Sequence, residues 1–218
     1  MKTWILLGAP GAGKGTVAEG LVRETQVRHV STGDMLRSAV QSGSAVGLEA
    51  RGYMDRGELV PDGVILQLVR DRIALEGVDQ SYLLDGFPRT REQAVGLDRI
   101  LSGLGGRVDA VFQLRVPETV LIDRLAGRRV CRGCGAVYHI RNIPTQVEGV
   151  CDVCGGDVVQ RPDDTESTVR NRLVVYERQT IELIDFYRNR GVLFEIEAAG
   201  PREETLNEVL EAVASRSI

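Results

Sequence analysis

The sequence has few lysines, few aromatic residues and no excess of basic charge. Lys2 and Lys14 are the only lysines, against 25 arginines, and aromatic residues make up 5% of the 218 residues. The formal net charge is −4. Nucleic-acid-binding proteins usually present a basic face and aromatic side chains that stack on bases. The composition therefore argues against nucleic acid as a partner.

Long apolar runs are also missing. A membrane-spanning helix needs about 20 consecutive apolar residues, and the run Trp4–Leu7 is too short even for the core of a secretion signal. We therefore expect a cytoplasmic protein without a membrane partner. A hydrophobic content of 43% suits a globular fold, and a length of 218 residues suits one domain that carries an inserted subdomain.

Short apolar runs alternate with helical patterns, which is typical of an α/β fold with a parallel sheet. Two segments break the alternation: residues 31–73 favour helices joined by glycine-containing turns, and residues 128–164 contain the cysteines and short β-like runs. The predicted strands lie near Thr3–Leu7, Val27–Val30, Tyr82–Asp85, Val111–Leu114 and Leu193–Glu197. The predicted helices lie at about Lys14–Glu24, Asp34–Gly43, Thr90–Leu104, Pro117–Ala126, Glu166–Arg190 and Arg202–Val213.

A glycine-rich motif, GAPGAGKGT (8–16), joins the first predicted strand to the first predicted helix. In a phosphate-binding loop, glycines let backbone N–H groups converge on phosphate oxygens, and the following helix N-terminus favours their negative charge. Lys14 would reach the β- and γ-phosphates. Gly15 stands where a hydroxyl residue usually follows the lysine, and the hydroxyl comes at Thr16, so we expect phosphates and water to hold most of the Mg²⁺ shell. A glycine-rich turn without a ligand is the alternative.

The cysteines form two Cys-x-x-Cys pairs within 24 residues: Cys131, Cys134, Cys151 and Cys154. Cytosolic proteins rarely keep disulfides, and two such pairs complete a tetrahedral zinc site. Four thiolates leave no open position, so this Zn²⁺ would be structural, and His139 is not needed as a ligand. The segment of about 37 residues is too short to build a core alone, so we expect zinc to hold it together. A disulfide or a redox-active pair is the alternative.

Seven segments in a fixed order make the sequence similar to the adenylate kinase family, in its long-lid bacterial type with a zinc-binding lid, over essentially all 218 residues. They are GAPGAGKGT (8–16), STGDMLR (31–37), GELVPDGV (57–64), LLDGFPRT (83–90), GRRVC (127–131), QRPDD (160–164) and VRNRL (169–173). The resemblance implies a P-loop NTPase-like, five-stranded parallel sheet flanked by helices. It implies a core domain (1–30, 74–127 and 165–218), a helical AMP-binding insert (31–73) and a small β-rich zinc lid (128–164), with Gly127 as one hinge.

The activity that the resemblance implies is reversible phosphoryl transfer from ATP to AMP, which gives two molecules of ADP. Mg²⁺ would accompany ATP, and the AMP phosphate would attack in line without a nucleophilic residue. The protein would position the nucleotides and stabilise charge on the moving group. Nothing in the sequence demands more than a monomer.

Individual residues acquire expected roles from the same resemblance. Thr32 and Arg37 would contact AMP, and Gln93 would read the adenine edge, while Asp85 would orient Mg²⁺ through water. The expected catalytic residues are Lys14, Asp85, Arg89, Arg124, Arg128, Arg161 and Arg172. The expected ATP-binding residues are Gly11, Ala12, Gly13, Lys14, Gly15, Thr16, Arg128, Val137, Tyr138 and Gly200. The expected AMP-binding residues are Thr32, Arg37, Glu58, Leu59, Val60, Gly86, Phe87, Pro88, Arg89, Gln93, Arg161 and Arg172.

Some of these residues also suit structural roles. Asp34 is predicted as a helix cap, and Pro88 suits a turn. A helical arginine such as Arg37 usually lies on a solvated face, and surface ion pairs explain Arg129 and Arg170 equally well. Near Gly200 the family more often has an Asp-Gly-Thr run, whereas this chain has EAAGP (197–201).

Two other functions stay open. The first is a nucleoside monophosphate kinase of the same fold with another acceptor. The AMP motifs together with Gln93 argue against it, as does the long cysteine-bearing insert. The second is a zinc-ribbon protein that binds nucleic acid and uses the phosphate loop as a switch. The acidic net charge argues against that function.

Overall fold

The structure is a computed structural model that describes residues 1–77 and 79–215. Over these residues the chain forms a five-stranded parallel sheet flanked by helices and a separate three-stranded antiparallel sheet. The predicted α/β fold class is confirmed. Within the same residues, no helix is both long enough and apolar enough to cross a lipid bilayer.

The strands agree closely with the predicted ones. Those of the described residues are β1 (Thr3–Leu7), β2 (Arg28–Ser31), β3 (Tyr82–Asp85), β4 (Ala110–Arg115), β5 (Arg128–Cys131), β6 (Val137–His139), β7 (Val158–Val159) and β8 (Leu193–Glu197). The parallel sheet has the order β2–β3–β1–β4–β8, and the antiparallel sheet has the order β6–β5–β7. The second predicted strand is displaced by one residue, and the fourth is one residue longer at each end.

The central strands are continuous apolar runs because helices cover both of their faces. All residues of β1 and β3 are buried. Along β1, Ile5 and Leu7 pack in the hydrophobic cluster on one side of the sheet, and Trp4 and Leu6 pack in the cluster on the other side. This double burial fixes the carboxyl ends of the strands, which is the edge where open α/β sheets bind their ligands.

The helices of the described residues are α1 (Lys14–Thr25), α2 (Thr32–Ser42), α3 (Ala45–Arg56), α4 (Asp62–Glu76), α5 (Arg91–Gly103), α6 (Glu118–Ala126), α7 (Glu166–Val175), α8 (Glu182–Arg188) and α9 (Arg202–Ser215). As expected, no strand follows β2 before β3 in the described residues, and α2, α3 and α4 fill the interval. Helices α2 and α3 approach so closely that a β carbon at Gly47 would lie 2.0 Å from the Ala39 carbonyl oxygen.

Asp34 does not cap α2, so that prediction is wrong. The N-cap is Ser31, whose Oγ accepts a hydrogen bond of 3.3 Å from the backbone N–H of Asp34. Asp34 therefore lies inside the first helical turn, where its negative charge interacts favourably with the helix dipole. Its carboxylate pairs with Arg37, with an Nη2–Oδ1 distance of 2.5 Å.

The single helix predicted over Glu166–Arg190 is also wrong, because a π-helical segment at Tyr176–Thr180 separates α7 from α8. The wider turn is closed by a hydrogen bond of 3.0 Å from the Ile181 N–H to the Tyr176 carbonyl. It brings the buried Thr180 hydroxyl to the Arg89 carbonyl, with a distance of 2.9 Å. Single π turns of this kind are frequent next to functional sites.

The segment that contains the antiparallel sheet has a very small core. Its buried cluster consists of Cys131, Tyr138 and Cys151, with only Ala136 and Val158 packed against it. Larger apolar residues of the same segment point to solvent, so apolar burial contributes little to its stability. Something other than a hydrophobic core has to hold this segment in shape.

Candidate active site

Loops that follow the carboxyl ends of β1, β2 and β3 line two adjoining cavities. The larger is a cleft of about 1430 Å³ that also touches the antiparallel sheet, and it is large enough for a nucleotide. The smaller lies against α2, α3 and the start of α5. Both cavities are lined by Arg37, Arg89 and Arg172.

The predicted site residues fall into these two cavities almost without exception. The cleft is lined by Gly11, Ala12, Gly13, Lys14, Gly15, Thr16, Asp85, Pro88, Arg124, Arg128, Val137, Tyr138, Arg161 and Gly200. The smaller cavity is lined by Thr32, Arg37, Glu58, Leu59, Val60, Gly86, Arg89, Gln93 and Arg172. Phe87 lines neither of them, since its side chain is 1% exposed and packs in the core.

The loop after β1 has the backbone that its glycines allow. Gly11 and Gly13 have φ values of 85° and 93°, in the left-handed region that favours glycine. A β carbon at Gly11 would also lie 2.9 Å from the Leu125 Cγ. Gly13 caps α1, and Gly15 faces open space with no atom within 4 Å of the position of a β carbon.

Lys14 folds back over this loop. Its Nζ donates hydrogen bonds to the carbonyl oxygens of Gly8 (2.7 Å) and Ala9 (3.0 Å). Burial is the main factor that lowers the pKa of Lys14 to about 8; Asp85 opposes this effect and Arg89 adds to it. A phosphate group beside the ammonium would raise this pKa again, because an opposite charge favours the charged form.

The arginines of the site crowd together. Burial, followed by the charge of Arg172, lowers the pKa of Arg89 to about 10. Burial, followed by the charge of Arg37, lowers the pKa of Arg161 to about 10. The Nε of Arg161 is buried and has no hydrogen-bond partner among the described residues. Cations held this close, with a donor left over, are typical of a site for phosphate groups.

Two adjacent aspartates offset part of this positive charge. Asp164 is fully buried, and its carboxylate accepts hydrogen bonds from Arg128 Nε (2.7 Å) and Nη2 (2.5 Å) and from Arg172 Nη1 (3.1 Å). Asp163 pairs with Arg172 at 3.0 Å. Burial opposes ionisation of Asp163, but Arg172 and Arg37 hold its pKa below its ordinary value. The sequence places both acids in the QRPDD segment beside an arginine, yet local spacing does not say which arginines they meet.

The other predicted residues have partners within the protein. Asp85 lies 3.4 Å from the His29 Nε2. Arg124 donates hydrogen bonds to the carbonyl oxygens of Ala198 (3.0 Å) and Ala199 (3.2 Å), and so fixes the loop that carries Gly200.

The two unassigned arginines have different surroundings. Arg170 forms an exposed ion pair with Glu166, which is the surface ion pair that the sequence suggests as an explanation of this arginine. Arg129 instead donates hydrogen bonds to the carbonyl oxygens of Ala126 and Arg128.

The four cysteine sulfurs converge within 4.8 Å of one another, and none of them is in a disulfide. Backbone N–H groups of Gly133 and Cys134 point at the Cys131 sulfur, at 3.3 and 3.5 Å. The Tyr138 hydroxyl donates to the Cys151 sulfur at 3.3 Å, and this hydrogen bond is the main factor that lowers the pKa of Cys151 to about 6. Four converging sulfurs with donors around them fit a tetrahedral thiolate site.

His139 lies outside this cluster and has a different task. Its Nδ1 accepts hydrogen bonds of 3.2 Å from the N–H groups of Arg141 and Asn142, so its Nε2 donates to the Asp123 carbonyl at 3.2 Å. A β carbon at Gly127 would lie 2.2 Å from this ring, whereas the φ of Gly127 is an ordinary −81°. Gly127 is therefore explained by close packing, and its backbone conformation does not require glycine.

Comparisons with known proteins agree with this geometry. The family model described as adenylate kinase matches residues 6–192. The adenylate kinase of Caldicellulosiruptor bescii is 49% identical over 211 residues, which are 96% of this chain and 97% of that protein. The adenylate kinase of Carboxydothermus hydrogenoformans is 48% identical over 209 residues, which are 96% of this chain and 98% of that protein.

This chain belongs to the adenylate kinase family. Adenylate kinases are nucleoside monophosphate kinases, a class of phosphotransferase, and they act on ATP, AMP and ADP with Mg²⁺. The predicted family membership is confirmed. The match includes the phosphate loop, the cysteine pairs and the QRPDD segment. It covers every residue that lines the smaller cavity and most of those that line the cleft, while Gly200 lies beyond it.

The buried acid of this adenylate kinase allows a test of the arginine network. Asp164→Asn should lower the free energy of unfolding by about 3 kcal/mol, because Arg128 and Arg172 lose a buried counter-charge. Glu166→Gln is the matched control, since it removes the acid of an ion pair in which both side chains are more than half exposed, and it should cost less than about 1 kcal/mol. Urea denaturation of both variants measures the difference. Equal effects would contradict a structural role for the buried pair.

Proposed function

We propose that this adenylate kinase transfers a phosphoryl group from ATP to AMP, reversibly and in line, at the junction of the two cavities. The observation that carries this proposal is that the cavities share Arg37, Arg89 and Arg172. A group of arginines with a cavity on each side suits direct transfer between two bound nucleotides.

The cleft is the proposed donor site. Backbone N–H groups of the loop Gly11–Thr16 would hold the ATP phosphates, and the start of α1 favours their charge. Lys14 would exchange its two loop carbonyls for the β- and γ-phosphates. Mg²⁺ bound to ATP would offset phosphate charge, and Asp85 lies at the cleft wall where its carboxylate would orient the ion through water. The ATP base would lie near Val137 and Tyr138.

The smaller cavity is the proposed acceptor site. Arg37 is 31% exposed and paired with Asp34, so it faces the cavity and does not lie on a fully solvated surface. With Arg89 and Arg172 it would hold the AMP phosphate. Thr32, which donates to the Gly86 carbonyl at 2.9 Å, and the amide of Gln93 would meet the adenine.

The transfer step needs no covalent intermediate on the protein. An oxygen of the AMP phosphate forms a bond to the γ-phosphorus, and the bond from that phosphorus to the β–γ bridging oxygen breaks. Arginine forks at the junction would stabilise the charge that spreads over the moving group. Arg161, with its unpaired Nε, is suited to this task.

Residues 128–164 are the proposed lid, and closure of a lid over the substrates is a known property of adenylate kinases. Closure would exclude water, and so protect the phosphoryl group from hydrolysis. We propose that the four cysteines bind one structural Zn²⁺ in this lid, which otherwise has almost no core. Such a site contributes on the order of 10 kcal/mol to folding.

The domain boundaries, the monomeric state and the cytoplasmic location expected from the sequence stay predictions. Helix α4 continues to Glu76, beyond the expected end of the insert at residue 73. Of the two alternative functions, the zinc-ribbon switch has no support from the family match. A different nucleotide acceptor is the alternative that an assay has to exclude.

AMP is expected to be the preferred acceptor. With saturating MgATP, kcat/KM should be higher for AMP than for GMP, UMP or CMP, because Thr32 and Gln93 line the acceptor cavity. A coupled assay of ADP formation with each monophosphate measures this order. A higher kcat/KM for another monophosphate would contradict the proposal.

Removal of zinc is expected to weaken the lid without abolishing the chemistry. A chelator should lower the melting temperature and leave substantial turnover at low temperature, where the lid still closes, once Mg²⁺ is restored. Zinc content, melting temperature and turnover are measured on the same samples. One zinc per chain with four-sulfur coordination in X-ray absorption agrees with the proposal. Absence of metal, a disulfide between the pairs, or complete loss of turnover in folded protein would contradict it.

A further inference from the structure

We propose that Asp62 fixes the orientation of the Gln93 side-chain amide and thereby sets the preference of the acceptor site for adenine over 6-oxopurines such as guanine. The proposal deepens the function proposed above, because it rests on Gln93 as the residue that reads the base. Asp62 itself lines neither cavity, so its effect would pass through Gln93 and it would be a positioning residue.

The Gln93 amide has a different kind of partner at each end. Its Nε2 donates to Asp62 Oδ1 at 2.7 Å, and its Oε1 accepts from the Arg89 backbone N–H at 2.7 Å. An ionised carboxylate only accepts hydrogen bonds, and a backbone N–H only donates them. A flipped amide would place oxygen against the carboxylate and nitrogen against the N–H. Both contacts would be repulsive, so a single orientation is stable.

Thr90 holds the carboxylate of Asp62 in place. The Thr90 hydroxyl caps α5 by accepting from the Gln93 N–H at 3.1 Å, and it donates its own hydrogen to Asp62 Oδ2 at 3.1 Å. The first turn of α4 is therefore tied to the first turn of α5. Gln93 is 1% exposed, so water does not compete for these hydrogen bonds.

The fixed orientation has a chemical consequence for the base. Each end of the amide keeps one further hydrogen-bonding position, an N–H on Nε2 and a lone pair on Oε1. Adenine presents an amino donor at C6 where guanine presents a carbonyl acceptor, and the adjacent N1 accepts in adenine and donates in guanine. An amide locked in one orientation matches only one of these edges, whereas an amide free to flip serves both.

The test is Asp62→Asn in the full chain, because asparagine keeps the shape but offers both a donor and an acceptor. Asp71→Asn is the matched control: Asp71 lies on the same helix and accepts from a glutamine Nε2 (Gln67, 2.6 Å), but on the exposed surface. The kcat/KM values for AMP and for GMP are measured with saturating MgATP, well below the melting temperature of every variant.

Asp62→Asn should lower the ratio of kcat/KM for AMP to that for GMP by at least about tenfold, mainly through a higher KM for AMP. The kcat with AMP and the KM for ATP should stay within about threefold of the unchanged protein, as should every constant of Asp71→Asn. If the wild-type protein prefers AMP and Asp62→Asn has the same ratio of kcat/KM values, this inference alone is overturned. If the wild-type protein itself shows no preference for AMP, the proposed function is overturned instead.

Discussion

The cleft depends on one electrostatic constraint, the convergence of Lys14 and several arginines in a partly buried space. Like charges repel one another there, and burial adds to their cost, as the lowered pKa values of Lys14 and Arg89 show. Asp163 and Asp164 supply part of the missing negative charge. Phosphate groups of two nucleotides would supply the rest. The repulsion among these cations therefore favours the binding of ligands with a high negative charge.

Other parts of the fold hold these charged residues in position. The parallel sheet fixes the phosphate loop at its carboxyl edge, because its central strands are buried on both faces. The π-helical segment before α8 brings Thr180 to the Arg89 backbone, and so holds a second part of the site. The proposed lid, residues 128–164, has almost no core, and its buried Asp164 accepts a hydrogen bond from Arg172 of α7, which ties the base of the lid to the remainder of the protein.

The sequence predicts those features that local spacing encodes. The strand, glycines and lysine of the phosphate loop are adjacent in the chain, and the paired cysteines have the spacing of a metal site, so both could be inferred from the residues alone. Contacts between distant segments could not. Nothing in the spacing indicates that Asp62 meets Gln93, or that Ser31 rather than Asp34 caps α2. The sequence predicts Gly127 as a hinge. The structure shows that the His139 ring packs closely against it, a contact between residues too far apart in the chain for local spacing to indicate.

The central claim is that the ammonium of Lys14 acts on the transferring phosphates. Lys14→Arg keeps the charge but replaces a compact ammonium, whose Nζ lies 2.7 Å from the Gly8 carbonyl, with a longer and broader guanidinium. We expect kcat to fall at least about a hundredfold while the circular dichroism spectrum is unchanged. Lys2→Arg, the same change at the other lysine, should leave kcat within about twofold. Turnover of Lys14→Arg within a few-fold of the unchanged protein would contradict the claim.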